Sequence, residues 1–496
     1  MSANRRLIAL ALCLFAVVGA QILGTPRNAG PDEPAHLIRG AGLVRGQVFG
    51  DPVGDRPLDA GPADVARADP DNPALRLYDV PAWVDQPDPT CFRFSPEQPA
   101  SCAVVDDSAE SGLISTASTS PVWSHVLPGL GTQLVHGPAA AWVARFLHAI
   151  VPVVLLAGTL SLLLEQRRRA ALSAVVVATT PMVLFVFAVV NPSGPVAAGA
   201  IALWVTGDDI YRRGRTSWWL FTGAFMALVL PRDDGLLWAG LLVALLAFAW
   251  RQSPRRRLWN SSPIRVRVLA ATTALVGAGW AVVNRGGLVP VAGPGGNQTF
   301  AEIVVQRTGR HIREAVGVVG WLDTAIPESM FALWFFAAGL VVMAGLVARN
   351  HRHVAAAGLA LVAFVVVGWV LETVQGPSAG LFWQGRYALP MLIGFVLLAG
   401  IGDGIDAAIG RIAAAVPGVA GLVVWNVSFL QELRRWGVGA SGSIRPWAWD
   451  TWGAPVPLPV LIVVHVVASV GLVVICVRAF AEPAADSVAT IVHDPS

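Results

Sequence analysis

An all-α polytopic membrane protein of about 12 transmembrane helices, with a long external first loop, is implied by three features of this chain. The first is composition. Of 496 residues, 55% are hydrophobic and 14% charged, and the mean hydropathy is +0.60, so too little polar surface exists to cover a soluble globule of this size. The second is a series of apolar runs, each near the length that crosses a bilayer as a helix. The third is arginine, which gathers in alternate short connections between those runs.

The runs fall near 7–23, 139–164, 170–190, 194–207, 216–231, 235–250, 266–284, 331–348, 353–372, 387–402, 411–430 and 457–479; the fourth to sixth are short or interrupted by polar residues. Residues 1–23 have the early part of a signal peptide, but no small-x-small cleavage site precedes Gln21, so a retained anchor is expected. Arg5-Arg6, Arg167-Arg168-Arg169, Arg212-Arg213 with Arg215, Arg255-Arg256-Arg257, and Arg349 with Arg352 lie on connections that share a side. Arginine is retained in the cytoplasm, which puts both termini there. The other side receives 24–138, the turns at Asn191-Pro192-Ser193-Gly194 and Pro231-Arg232-Asp233-Asp234-Gly235, and the segments 285–330, 373–386 and 431–456.

The domain organisation read this way is a transmembrane domain over 1–480, external loop 1 over 24–138 inserted in it, and a cytoplasmic tail over 481–496. The chain has no lysine, and its bias toward Ala, Val, Gly and Arg suits a GC-rich bacterial genome, so a bacterial plasma membrane is the expected location. A formal charge of +3 and a pI near 8.9 do not imply nucleic acid, because the arginines separate apolar segments instead of lining one soluble face.

Loop 24–138 carries fifteen acidic residues against seven arginines and is rich in Pro and Gly, which argues against a dense core. Its two cysteines, Cys91 and Cys102, are the one pair outside the bilayer, and an oxidising exterior would let them close a short disulfide loop. Cys13 and Cys476 lie inside runs and read as small buried apolar residues.

Three motifs, PDEPAH after the first run, GVVGWLDTAIP at 317–327 and QGRYALP at 384–390, together resemble those of a bacterial family of multi-spanning membrane proteins of formerly unknown function. That family is grouped with the GT-C glycosyltransferases. The resemblance runs from the first span to beyond the tenth. It implies a GT-C-like helical membrane domain, an external active site and a polyprenyl-phosphate sugar donor, and the family's catalytic acid matches Asp32 or Glu33.

The residues support this chemistry independently. Moving a sugar from phosphate to a hydroxyl needs a base for the incoming O–H and cationic help for the departing phosphate. Asp32 suits the base, with Glu33 and His36, one helical turn on, as helpers. The alternative is that Asp32 or Glu33 caps a helix that begins at Pro34. Arg386, at the start of a span, suits bidentate phosphate contact with Tyr387 in the headgroup zone, or else snorkels to anchor the helix end. Arg145 is a second candidate for a lipid phosphate. Gln384, Arg232, Asp233, Asp234, Trp321 and Asp323 are candidates for sugar or acceptor contacts, though Arg232–Asp234 also reads as a plain solvated turn.

A Mg2+ or Mn2+ ion held by Asp32, Glu33 and a donor phosphate fits the same chemistry, but no HxxxH, CxxC or clustered-acid spacing supports it. No cofactor is assigned. The run at 306–315 puts Arg310 and Arg313 on one face, as an interfacial helix over anionic headgroups would. The Asn297-Gln298-Thr299 sequon receives no role. The expected function is therefore a membrane glycosyltransferase that acts on an envelope glycan or glycolipid. The rival is a transporter or lipid flippase, which would show repeat symmetry and charges near the midplane.

Overall fold

The computed structural model describes residues 2–54, 72–86, 88–104, 112–252, 258–283, 298–449 and 452–481. The Arg255–Arg257 connection, Asn297 and the tail beyond residue 481 lie outside the described residues.

In chain order, α1 (Ala3–Gly24) leads into the first loop, which holds α2 (Glu33–Val44), β1 (Asp51–Pro52), β2 (Arg76–Tyr78), β3 (Leu113–Ser115) and α3 (Val126–Leu134). The chain then forms α4 (Ala139–Glu165), α5 (Arg169–Ala178), α6 (Pro181–Ala188), α7 (Ser193–Arg213), α8 (Trp218–Val229), α9 (Gly235–Trp250) and α10 (Ile264–Val283). After α11 (Phe300–Gly317) comes a hairpin of β4 (Val318–Val319) and β5 (Thr324–Ala325). Helices α12 (Glu328–Val347), α13 (His351–Ala379), α14 (Leu389–Gly400), α15 (Ile405–Val438) and α16 (Leu458–Ala481) complete the bundle.

Helices cover all twelve apolar runs, so the protein is an all-α polytopic membrane protein with only short strands. Among the described residues, α1, α4, α10, α12, α13, α15 and α16 are seven helices long and apolar enough to cross a membrane. The run at 170–190 is not one straight helix: α5 and α6 meet at 66°. Pro181 supplies no N–H and holds Thr180 extended, and the Thr180 hydroxyl accepts from Val183 N at 3.3 Å and donates to Ala315 O at 2.8 Å. The break is thus capped on one side and tied to α11 on the other.

Helix α7 carries Asp208, Asp209, Arg212 and Arg213 near its end, which explains why its run read as short. Its fully buried Asp208 accepts from Arg168 at 2.8 Å and from Trp250 at 3.0 Å. Buried charge survives where it is paired and hydrogen-bonded. Residues Ser193–Tyr211 of α7 and all of α6 are buried, so these two helices form the middle of the bundle.

Loop 24–138 differs from the core-poor segment expected. Strands β1, β2 and β3 form an antiparallel sheet with Leu77 opposite Ile114, and α2 lays Leu37, Ile38 and Ala41 against Tyr78, Val80 and Val84. Gly42 is needed there, since a Cβ would stand 2.2 Å from the Tyr78 ring. Composition hid this core because a few large side chains make it. Cys91 and Cys102 are joined in a disulfide with a Cα–Cα separation of 6.1 Å, and Cys13 and Cys476 are free and half-buried.

Candidate functional site

A cavity of about 520 Å3 opens where the first loop meets the bundle, lined by Asp32, His36, Asn191, Arg232, Asp233, Asp234, Arg386 and Tyr387, with Thr116, Ser120, Gln375 and Trp383. Its volume lies in the ~300–1,000 Å3 range of small-molecule sites. Residues drawn from five sequence-distant segments, around 32–36, 116–121, 191–192, 231–234 and 371–387, therefore share one space.

Asp32 occupies the N-cap position of α2 with φ 61°, in the left-handed region that Asp and Asn tolerate best among side-chain-bearing residues. Its carboxylate makes no capping hydrogen bond. Instead Oδ2 accepts from Arg386 Nη2, and the side chain is 43% exposed. Asn191 fixes the turn that aims it: Nδ2 donates to Pro31 O at 2.9 Å, and Oδ1 accepts from Ser193 N at 2.9 Å.

Arg386 follows a bend that glycine alone permits. A Cβ on Gly385 would lie 2.0 Å from His311 O, and Gly385 N donates to Glu314 Oε2 at 2.8 Å. The Arg386 side chain is 1% exposed. One nitrogen meets Asp32 and, at 3.3 Å, Tyr387 Oη, whereas Nε and Nη1 have no hydrogen-bond partner among the described residues. A snorkelling arginine would reach water; this one is enclosed and has donors to spare.

Arg232 stacks over the Tyr387 ring at 4.4 Å, with Arg386 over the same ring at 5.1 Å. Asp234 holds Arg232 through two contacts of 3.0 Å. Asp233 faces the cavity, and desolvation followed by the neighbouring Asp234 push its carboxyl up to about 6. His36 is 7% exposed and bonds through Nδ1 to His125 Nε2 at 3.0 Å. His125, which no sequence spacing singles out, thereby joins the site.

The structure leaves the remaining candidates outside the cavity. Glu33 and Arg145 are fully buried and bound to each other at 2.6 and 2.7 Å. Arg145 also donates to the carbonyls of Ile22, Thr25 and Pro26, and Glu33 accepts from Gly30 N and Val190 N. Neither has capacity left for a phosphate or an acceptor. Trp321 Nε1 donates to Asn28 O at 3.1 Å, and Asp323 accepts from Arg435 at 3.3 Å; the GWLDT hairpin is a clamp on the first loop. Gln384 contributes its carbonyl to the turn before Tyr387 but does not line the cavity. Arg310 and Arg313 pair with Glu314 at 2.6 Å and Glu328 at 2.5 Å, so α11 does not present them as free cations. Among the described residues, no three His, Cys, Asp or Glu side chains converge as ligands for a metal ion.

No curated protein matches the chain. A crystal structure of ArnT from Cupriavidus metallidurans bound to undecaprenyl phosphate is similar to it at 13% identity and a TM-score of 0.39, over 96% of this chain and 77% of that one. The model of a family described as "Predicted membrane protein (DUF2142)" matches residues 14–395, from α1 into α14, and the chain belongs to that family.

Proposed function

We propose that this protein is a GT-C-like membrane glycosyltransferase that moves a sugar from a polyprenyl-phosphate donor to an envelope glycan or glycolipid on the external face. The observation that carries the reading is Arg386: an enclosed guanidinium with two unpartnered nitrogens, beside a carboxylate, in a polar cavity at the start of an apolar helix. An anion with several oxygens satisfies those donors bidentately. A lipid phosphate brings that anion to the membrane boundary.

In the proposed reaction the acceptor oxygen bonds to the anomeric carbon as the bond from that carbon to the phosphate oxygen breaks. The hydroxyl proton passes to Asp32, and the charge on the departing phosphate is held by Arg386 with Arg232 nearby. Phosphate binding exchanges the Arg386–Asp32 contact for an Arg386–phosphate contact, which frees the carboxylate when the donor arrives. In this reading Asp233, beside the Arg232–Asp234 pair, meets the sugar hydroxyls. Radiolabelled polyprenyl-phosphate sugars offered to purified protein in lipid test the reading: transfer that is lost in Asp32→Asn supports it, and the absence of transfer from any polyprenyl-phosphate sugar overturns it.

A further inference from the structure

The His36–His125 pair has only one arrangement of protons that fits its surroundings. His125 follows a short helical turn, and its Nδ1 lies 2.9 Å from Pro121 O and 3.1 Å from Ser124 Oγ. A carbonyl oxygen has no proton to give, so His125 carries its proton on Nδ1. A neutral His125 then has a bare Nε2 that can only accept. The proton in the 3.0 Å contact with His36 Nδ1 must therefore be His36's own, and His36 Nε2 is left bare.

Both rings are neutral in this arrangement, and their surroundings enforce this. Only 7% of His36 and 1% of His125 is exposed. Burial, followed by the guanidiniums of Arg386, Arg232 and Arg39, pushes His36 down to about 3. Burial and the neighbouring His36 and Arg39 hold His125 well below the usual imidazole range, against the opposing bond to Pro121. A positive charge on the pair would meet three arginines in a desolvated site.

We infer that His125 is a positioning residue that locks His36 in its Nδ1–H tautomer, so that His36 presents the cavity with an uncharged hydrogen-bond acceptor for a hydroxyl group of the sugar or acceptor. The chemical advantage lies in charge. A further carboxylate at this place, beside Asp32, Asp233 and Asp234, would also accept from a hydroxyl, but it would repel the phosphate that Arg386 binds. A bare imidazole nitrogen accepts without that repulsion. The hydroxyl assignment rests on the proposed glycosyltransferase reading; the tautomer does not.

The test is nitrogen NMR of protein labelled with 15N-histidine in lipid nanodiscs near pH 7, with the His36 and His125 signals assigned from His36→Gln and His125→Gln. Both residues should show a protonated Nδ1 and an unprotonated Nε2. Removing the acceptor in His125→Leu should release His36 to a mixture of tautomers, whereas His125→Gln, whose amide oxygen can take the same hydrogen bond, should preserve Nδ1–H. A protonated Nε2 on His36 in the unmodified protein overturns the inference, as does an unchanged His36 pattern in folded His125→Leu. In the transfer assay His125→Leu should lower kcat/KM about tenfold, the order of one lost hydrogen bond, with His125→Gln close to the parent. Spectra as expected in a protein that transfers no sugar would sink the glycosyltransferase reading and leave the tautomer standing.

Discussion

Asp32 and Glu33 are neighbours in the chain and opposites in the structure. Glu33 is fully buried, and its two oxygens take two bonds from Arg145 and one each from Gly30 and Val190. Asp32 is 43% exposed, with one oxygen on Arg386 and the rest of its surface on the cavity. The same contrast separates Arg145, which spends its donors on Glu33 and three carbonyls, from Arg386, which leaves Nε and Nη1 without partners. Saturation of hydrogen bonds marks the charges that hold this protein together. Unspent capacity beside a cavity marks those available for chemistry.

The sharpest way to break this contrast is Asp32→Asn. It keeps the size and the tolerance for a left-handed backbone but cannot take a proton, so transfer should fall by about 10² to 10⁴ with little change in thermal unfolding. Normal turnover in that variant would remove Asp32 from the chemistry. Glu33→Gln should behave in the opposite way. It leaves Arg145 buried without a counter-charge, and breaking such a pair costs about 3–5 kcal/mol, which should appear in denaturation curves of the purified protein as a large loss of stability. A well-folded but inactive Glu33→Gln would reverse the two assignments.

Arg386→Lys refines the comparison further. It keeps the charge and loses the planar fork, so donor use should weaken about tenfold to a hundredfold, the scale of one charged hydrogen bond, while folding changes less. Equal donor kinetics in Arg386→Lys and the parent would reduce Arg386 to a helix anchor. The smallest effect concerns Asp233, whose carboxyl is raised to about 6. Above that pH it is charged and opposes an incoming anion; as the pH falls through about 6 it takes up a proton and the opposition fades. Binding of a polyprenyl phosphate should therefore tighten by up to about fivefold, the upper range for one partly solvated charge pair, between pH 7 and pH 5. Isothermal titration on Asp233→Asn should show that slope flattened.

The membrane helices were legible because their signal is local: a long apolar run needs no partner to be recognised. The bend between α5 and α6 was not, because 170–190 is apolar throughout and only Thr180-Pro181 marks the break. In the site, Asp32, His36, Arg386, Tyr387 and Arg232–Asp234 could be picked out as polar residues beside spans. Glu33, Arg145, Trp321 and Asp323 gave the same signal for another reason. Their partners lie up to 293 residues away, and no local pattern tells a paired charge from a waiting one. His125 gave no signal, since a single imidazole in a Pro-Val-Trp-Ser turn acquires meaning only from the ring 3.0 Å away.

The left-handed backbone of Asp32 also governs which sequences can occupy that position. At φ 61°, a β-branched or bulky residue pays a conformational cost before any chemistry is considered, and only Gly, Asn and Asp rest there without much strain. A library randomised at codon 32 and sorted for protein abundance alone would therefore be enriched in those three residues. Sorted for transfer, it should collapse to aspartate, and even glutamate, with its carboxylate intact, would be lost because the chain cannot comfortably make the turn.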